Sequence, residues 1–355
     1  MRDVRKEITV TRKVSDSPRV TIVIPTYNRA RWLGGAIESA LGQTLPDFRV
    51  LVSDNASTDE TAAVVAGFDD PRLSYVRLDR NVELNEHFNR CIERTESEYL
   101  FLLPDDDRML PELLEVAVPV LDAHPRVGLV HGRVRNVDDD DRVIADDHDM
   151  TGLRELTIES GHDFIRRSLR ESYRVHASTA VIRAAALDGL RLDQADYPAT
   201  DFALWLRLAL NWDVAFVPRT LAVYRLHSTS YTSGGAGLTS GGYVQGTSLI
   251  TAVRDVKERL LAEHGPLIGD VARLRAHARR SYREALLNQA GHLTLPGRRL
   301  PETARVLADC LRRDPRTAFE PGAWRLLAGA VLGRRAVERV KRRRVARAQK
   351  VRMAR

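Results

Sequence analysis

The chain has 355 residues, 43% of them hydrophobic and 29% charged, and a formal net charge of +7. That length can bury a sizeable core and suits one large domain or two of ordinary size. Only two cysteines occur, Cys91 and Cys310, each in an amphipathic stretch, which excludes a disulfide framework and a cysteine-based zinc site and fits a reducing, cytoplasmic setting.

Residues 1–18 are polar and charged and read as a flexible arm; they lead into no apolar run, so no signal peptide is expected. The β-branched run 19–24, stopped by Pro25, predicts a buried first strand, with the polar loop 25–29 at its carboxyl end. Trp32, Leu33, Ala36, Ile37, Ala40 and Leu41 share one side of a helix predicted over 30–41. A second strand over 48–52 runs into the polar stretch 53–61, where Ser57 or Thr58 suits a helix cap. A third strand follows over 73–78, and Leu84, Phe88, Cys91 and Ile92 then recur at helical spacing.

The run from Tyr99 to Leu103 is short, apolar and aromatic, and reads as a buried strand. Asp105, Asp106 and Asp107 follow at once. Adjacent carboxylates repel unless a cation sits among them, and hard divalent cations take carboxylate oxygens and bridge to phosphates. The triplet therefore reads as a site for Mg²⁺ or Mn²⁺ and a phosphate-bearing substrate, or else as a solvated acidic turn that caps the next helix. Strand and helix alternate four times up to this point, the pattern of a doubly wound, mainly parallel sheet. Such a sheet puts the loops after Ile24, Val52, Leu78 and Leu103 on one edge, where Tyr27, Asp54, Asn81 and the triplet can converge on one ligand.

Beyond the triplet, a helix is predicted over 111–123, a strand over 127–130, an acidic loop over 138–149, a helix near 159–169 and a strand near 178–182. A helix over 199–209 carries Asp201 in its first turn, and two short strands follow, 214–217 and 221–225, with His227 just after them. Residues 233–242 hold five glycines among Ser and Thr and read as a loop or linker. After it the pattern is helical: 244–264, 267–291, 301–312 and 323–350.

Four pieces in this order resemble the inverting family 2 glycosyltransferases of the GT-A fold. They are Val-Ile-Pro-Thr-Tyr-Asn-Arg at 23–29, Ser-Asp-Asn-Ala-Ser-Thr-Asp-Glu-Thr at 53–61, the strand running into Asp105-Asp106-Asp107, and Thr-Asp-Phe-Ala-Leu-Trp-Leu-Arg at 200–207. The resemblance implies a GT-A catalytic domain over 19–232, a mixed doubly wound sheet, with 243–355 as a helical C-terminal region. It also implies transfer of a sugar from a nucleotide-sugar to an acceptor hydroxyl, usually with Mg²⁺ or Mn²⁺.

Residue by residue, the resemblance implies nucleotide contacts from Pro25, Thr26, Tyr27, Asn28, Asp54, Asn81, Asn89 and Asp105. Asp54 would accept from a base imide, which favours UDP and admits dTDP. Asp106 takes the place of the metal-binding carboxylate, although Pro104 replaces the first Asp of the family's Asp-x-Asp motif; Asp107 and His227 are further candidate ligands. His227 also reads as a packed residue, and Arg225 as a phosphate contact or a carboxylate partner. Asp201 matches the general base that deprotonates the acceptor, and doubles as a favourable charge at a helix N-terminus.

Residues 331–355 hold eleven Lys and Arg against one Glu, which leaves the other residues with a net charge of −3 and argues against a nucleic-acid binder. The apolar stretch 323–332 with Trp324 is too short to span a bilayer. Followed by the basic run it reads as an anionic-membrane contact on the inner face, beside a glycan, lipid-linked or small-molecule acceptor, or else as a solvated basic tail. A nucleotidyltransferase would need a Gly-rich, basic phosphate loop after the first strand, which 25–29 is not. A non-catalytic membrane-peripheral relative would not need Asp54, Asp106 and Asp201.

Overall fold

The computed structural model describes residues 8–10, 18–227, 247–294 and 300–324. The linker predicted over 233–242 and most of the predicted helix 323–350, with its basic run, lie outside the described residues, as does most of the arm.

Strands β2 (Val20–Thr26), β3 (Phe48–Asp54), β4 (Leu73–Arg77) and β5 (Tyr99–Leu102) alternate with helices α1 (Ala30–Leu41), α2 (Thr61–Ala66) and α3 (Leu84–Glu93). The four strands are parallel in the order β4-β3-β2-β5, because each crossover helix returns the chain to the same sheet edge. A strand buries one side chain on each face in turn. Thus Val23 joins the core on one face while Ile22 and Ile24 join the core on the other. Within the arm, Ile8–Val10 forms β1 and pairs antiparallel with β4, a strand where a flexible arm was expected.

The second half departs from the parallel pattern. β6 (Arg108–Met109) and α4 (Leu113–Ala123) precede β7 (Val127–Val137), which is longer than the predicted strand 127–130. The acidic loop contains a strand, β8 (Val143–His148), paired with β7. After β9 (Thr157–Glu159) and α5 (Gly161–Glu171), a 3₁₀ turn (Ala177–Thr179) leads into β10 (Val181–Arg183), which runs antiparallel between β5 and β7. α6 (Thr200–Leu208) precedes β11 (Asp213–Arg225), where two short strands were expected. Pairing with β7 continues across a register irregularity between Phe216 and Thr220, and β9 and β6 flank the same strand.

The helices α7 (Thr247–Ile268), α8 (Val271–Thr294) and α9 (Leu300–Arg313) follow. They do not form a separate body. Leu249, Val253, Val256, Leu260 and Leu274 belong to the same core cluster as Val23, Leu100 and Leu204, so α7 and the start of α8 complete one face of the sheet. Among the described residues no helix is long and apolar enough to cross a membrane.

Candidate functional site

A cleft of 780 Å³ opens along the carboxyl ends of β2 and β5, where the parallel strands deliver their loops. Pro25, Tyr27, Asn81, the acidic triplet and Asp201 all line it. The two carboxylates to which the sequence gives opposite tasks, Asp106 and Asp201, therefore face one space.

The triplet sits on a tight turn in which the Asp107 amide donates to the Pro104 carbonyl at 3.2 Å. Its three carboxylates are not equivalent. Asp105 is buried, and burial together with the neighbouring Asp106 charge pushes it up to about 7. Asp107 is 2% exposed; its oxygens accept from the Ser178 hydroxyl and, at 2.8 Å, from the Arg225 amide. Burial and Asp106 raise its pKa well above the usual carboxylate range. That makes Asp107 a brace between the triplet, the 3₁₀ turn and the end of β11. Asp106 is the more open of the three, its side chain 18% exposed, with Oδ2 2.9 Å from His227 Nε2 and 4.0 Å from the Arg29 guanidinium. Among the described residues no group of three His, Cys, Asp or Glu side chains forms a metal cage. Asp106 beside His227 still fits a hard cation that takes one or two protein ligands and completes its shell with diphosphate and water.

Three other predicted contacts are placed differently. Asp54 is fully buried and outside the lining: its oxygens accept from the Ser57 amide at 2.8 Å and the Tyr75 hydroxyl at 2.6 Å, and Arg77 pairs with it at 3.5 Å. Asn28 is exposed, with a left-handed φ of 53°, and clasps the facing loop by accepting from the Thr58 amide at 2.8 Å. Asn89 is buried and grips Leu192 with both amide atoms, at 2.9 and 3.0 Å. Arg225, which lines the cleft, spends its guanidinium on the Asp106, Asp138 and Asp139 carbonyls and on the Asp141 carboxylate, the carboxylate partnership that the sequence also allowed. His227 is buried against Trp32, ring centroids 4.4 Å apart, and sits beside Asp106 at the cleft.

Asp201 stands in the first turn of α6, where Oδ1 accepts from the Phe202 amide at 2.7 Å and the Tyr173 hydroxyl at 3.1 Å. Burial pushes its pKa up to about 6, and these two donors hold it from rising further. A carboxylate tuned to this range takes a proton from a hydroxyl more readily than one near 4, and releases it near neutrality.

Several further residues line the cleft; of these, Arg80, Asn136 and His176 were not singled out from the sequence. Arg29 and Arg80 bring cations to the nucleotide side. Asn55 clasps both backbone groups of Val82 at 2.9 Å, linking the ends of β3 and the segment before α3. On the far wall, Asn136 Oδ1, His176 Nε2 and Trp205 Nε1 are buried without a hydrogen-bond partner among the described residues and border the cleft. Burial and the nearby His148 depress His176 to about 3, so its ring is neutral and can both donate and accept. No local pattern marks these residues; the fold gathers them from separate elements.

The residues 21–188 match the family described as Glycosyl transferase family 2. The chain is 25% identical over 213 residues to the GalNAc(5)-diNAcBac-PP-undecaprenol beta-1,3-glucosyltransferase of Campylobacter jejuni, covering 59% of this chain and 65% of that protein. Its fold is similar to S. aureus TarS 1–349 in complex with UDP-GlcNAc, with a TM-score of 0.55 and 15% identity over 88% of this chain and 91% of that one. It is also similar to the mannosyltransferase PcManGT of Pyrobaculum calidifontis in complex with GDP-Man and Mn2+, with a TM-score of 0.52 and 19% identity over 89% of this chain and 87% of that one. The mixed sheet with its cleft at the strand ends is the GT-A fold shared with these structures. Residues 21–188 thus match glycosyl transferase family 2, and the chain is a glycosyltransferase.

Proposed function

We propose that the chain catalyses a metal-dependent, inverting sugar transfer from a nucleotide-sugar, UDP-sugar first, to an acceptor hydroxyl, with Asp201 as general base. The observation that carries this reading is that Asp201, with a pKa near 6, borders the same cleft as the acidic turn 105–107. The nucleotide lies against Pro25, Tyr27 and Asn81, with Thr26 and Asp105 behind it and the Arg29 cation beside the diphosphate. Asp54 supports this seat from beneath through Ser57 and Tyr75. The sugar points toward Asn136, His176 and Trp205, whose unmatched polar atoms suit hydroxyl groups that both donate and accept.

In the reaction Asp201 removes the acceptor proton while the acceptor oxygen attacks the anomeric carbon. The bond from that carbon to the diphosphate oxygen breaks on the opposite face, so the configuration inverts without a covalent enzyme intermediate. Mg²⁺ or Mn²⁺ held at Asp106, with His227 beside it, would supply charge neutralisation for the leaving diphosphate. PcManGT in complex with GDP-Man and Mn2+ supports a divalent ion, and TarS in complex with UDP-GlcNAc supports a uridine donor.

The undecaprenol-linked substrate in the Campylobacter relative's name supports a glycan or lipid-linked acceptor over a small molecule. Phe319 and Trp324 are 86% and 63% exposed just before the basic run, which supports an anionic membrane surface as the place of work. Asp201→Asn tests the chemistry: transfer falls by about 10²–10⁴-fold while calorimetric donor binding stays within twofold. Wild-type transfer by this variant would remove Asp201 as the base.

A further inference from the structure

We propose that Lys257, on α7 outside the cleft, is a positioning residue for Asp201, acting through Ser172 and Tyr173. The inference rests on the reading of Asp201 as the base. The Lys257 ammonium is 1% exposed and, among the described residues, has no carboxylate within ion-pairing distance. Taking a lone cation out of water is costly, and nothing in the packing of an apolar helix face calls for one. Its three donors are spent on the Leu169 carbonyl at 3.1 Å, the Ser172 hydroxyl at 3.0 Å and the Ser281 hydroxyl at 2.9 Å.

Those partners converge on one strained point. Ser172 closes α5 with φ 69° and ψ −128°, a conformation that favours glycine. Its hydroxyl is held from both sides, by Lys257 and, at 2.9 Å, by Ser281 of α8. The very next residue is Tyr173, whose hydroxyl donates to Asp201 at 3.1 Å. The Tyr173 ring packs on Phe202 at 5.1 Å between centroids, and Lys257 Nζ lies 5.8 Å from the centroid of that same ring. An amine on the helical extension, whose pKa burial lowers to about 7, thus fixes the backbone turn that aims the hydroxyl at the base. Of the charged groups nearby, Arg207 and Arg259 both bind Asp196, at 2.6 and 2.5 Å, Arg254 pairs with Asp255 at 2.7 Å and Arg275 with Glu258 at 2.9 Å.

The test compares pH profiles of kcat in full-length wild type, Lys257→Met, Tyr173→Phe and their double variant, with Asp201→Asn alongside. Tyr173 donates to the ionised base, so its loss moves the acid limb upward by about 0.5–1 unit. Lys257→Met is expected to move the limb the same way and lower kcat with little change in donor KM, and the double variant to move it no further. Ser172→Gly, which the backbone there accommodates, gives the same shift without relying on a vacated cation site. A Lys257→Met or Ser172→Gly limb that stays at the wild-type pH, with only the melting temperature changed, overturns the inference. Full transfer by Asp201→Asn would instead overturn the base assignment on which it rests.

Discussion

At the scale of single residues, the cleft depends on which carboxylates remain ionised. As the proposed base, Asp201 must lose its proton to act, and burial lifts it from 3.8 to about 6. Transfer should therefore fall tenfold per unit as the pH drops below about 6, in a kcat profile taken with saturating donor. The same shift has a stability consequence of opposite sense. Between about pH 4 and pH 6 the folded chain keeps a proton that the unfolded chain has lost, so this group makes stability fall as pH rises through that window. Asn89 works differently. Both amide atoms bind Leu192 in a buried setting, so Asn89→Ala should lower stability by about 1–3 kcal/mol in urea titrations and leave donor affinity unchanged. Asp106→Asn should do the reverse, abolishing the gain in UDP affinity that Mn²⁺ gives in calorimetry while the melting point hardly moves. The sequence pointed to Asp106 and Asp201, which both line the cleft, because the expected chemistry calls for particular residue types at particular strand and helix ends. It could not show that Asp54, Asn28 and Asn89 are turned to structural bonds. That depends on distant partners such as Tyr75 and Leu192, which no local pattern links to them.

At the scale of elements, legibility followed burial. β2, β3 and β5 are buried on both faces and read as unbroken apolar runs. β7 was read at less than half its length because His131, Gly132, Arg133 and Asn136 break the apolar run. The strand persists there because Arg133 pairs with Asp147 at 2.9 Å and β8 and β11 flank it. Arg225 fixes the loop between β7 and β8 by binding Asp138, Asp139 and Asp141. Arg225→Met should free that loop, seen as faster limited proteolysis around residues 138–142, at a cost to transfer larger than to UDP binding. Where α5 begins, Gly161 lies so close to the next turn that an added Cβ would sit 1.9 Å from the Ala209 carbonyl oxygen and 2.3 Å from that of Trp212. Both obstacles are backbone. Gly161→Ala should therefore sharply lower the yield of folded protein, where an ordinary exposed helical glycine would gain from the change.

At the scale of the whole molecule, the helical extension is part of the catalytic fold. Leu249, Val253, Val256, Leu260 and Leu261 complete the core beneath α5 and α6, and Arg259 ties α7 to Asp196 just ahead of the Asp201 helix. A chain ended after residue 246 would expose that apolar face and should be recovered as aggregate, judged by light scattering, even though 19–232 reads as a complete domain in the sequence. The sequence showed amphipathic helices but not which surface they cover, since a helix's apolar stripe does not name its partner. The opposite border of the sheet carries a different consequence. Ile8–Val10 shields the outer rim of Leu73–Arg77, and without it a row of backbone amides and carbonyls faces water. Removing the first seventeen residues would leave that rim free to zip onto its counterpart in another molecule. The trimmed protein should then sediment as a dimer that falls apart on dilution, while its cleft, which begins two strands away, goes on binding nucleotide.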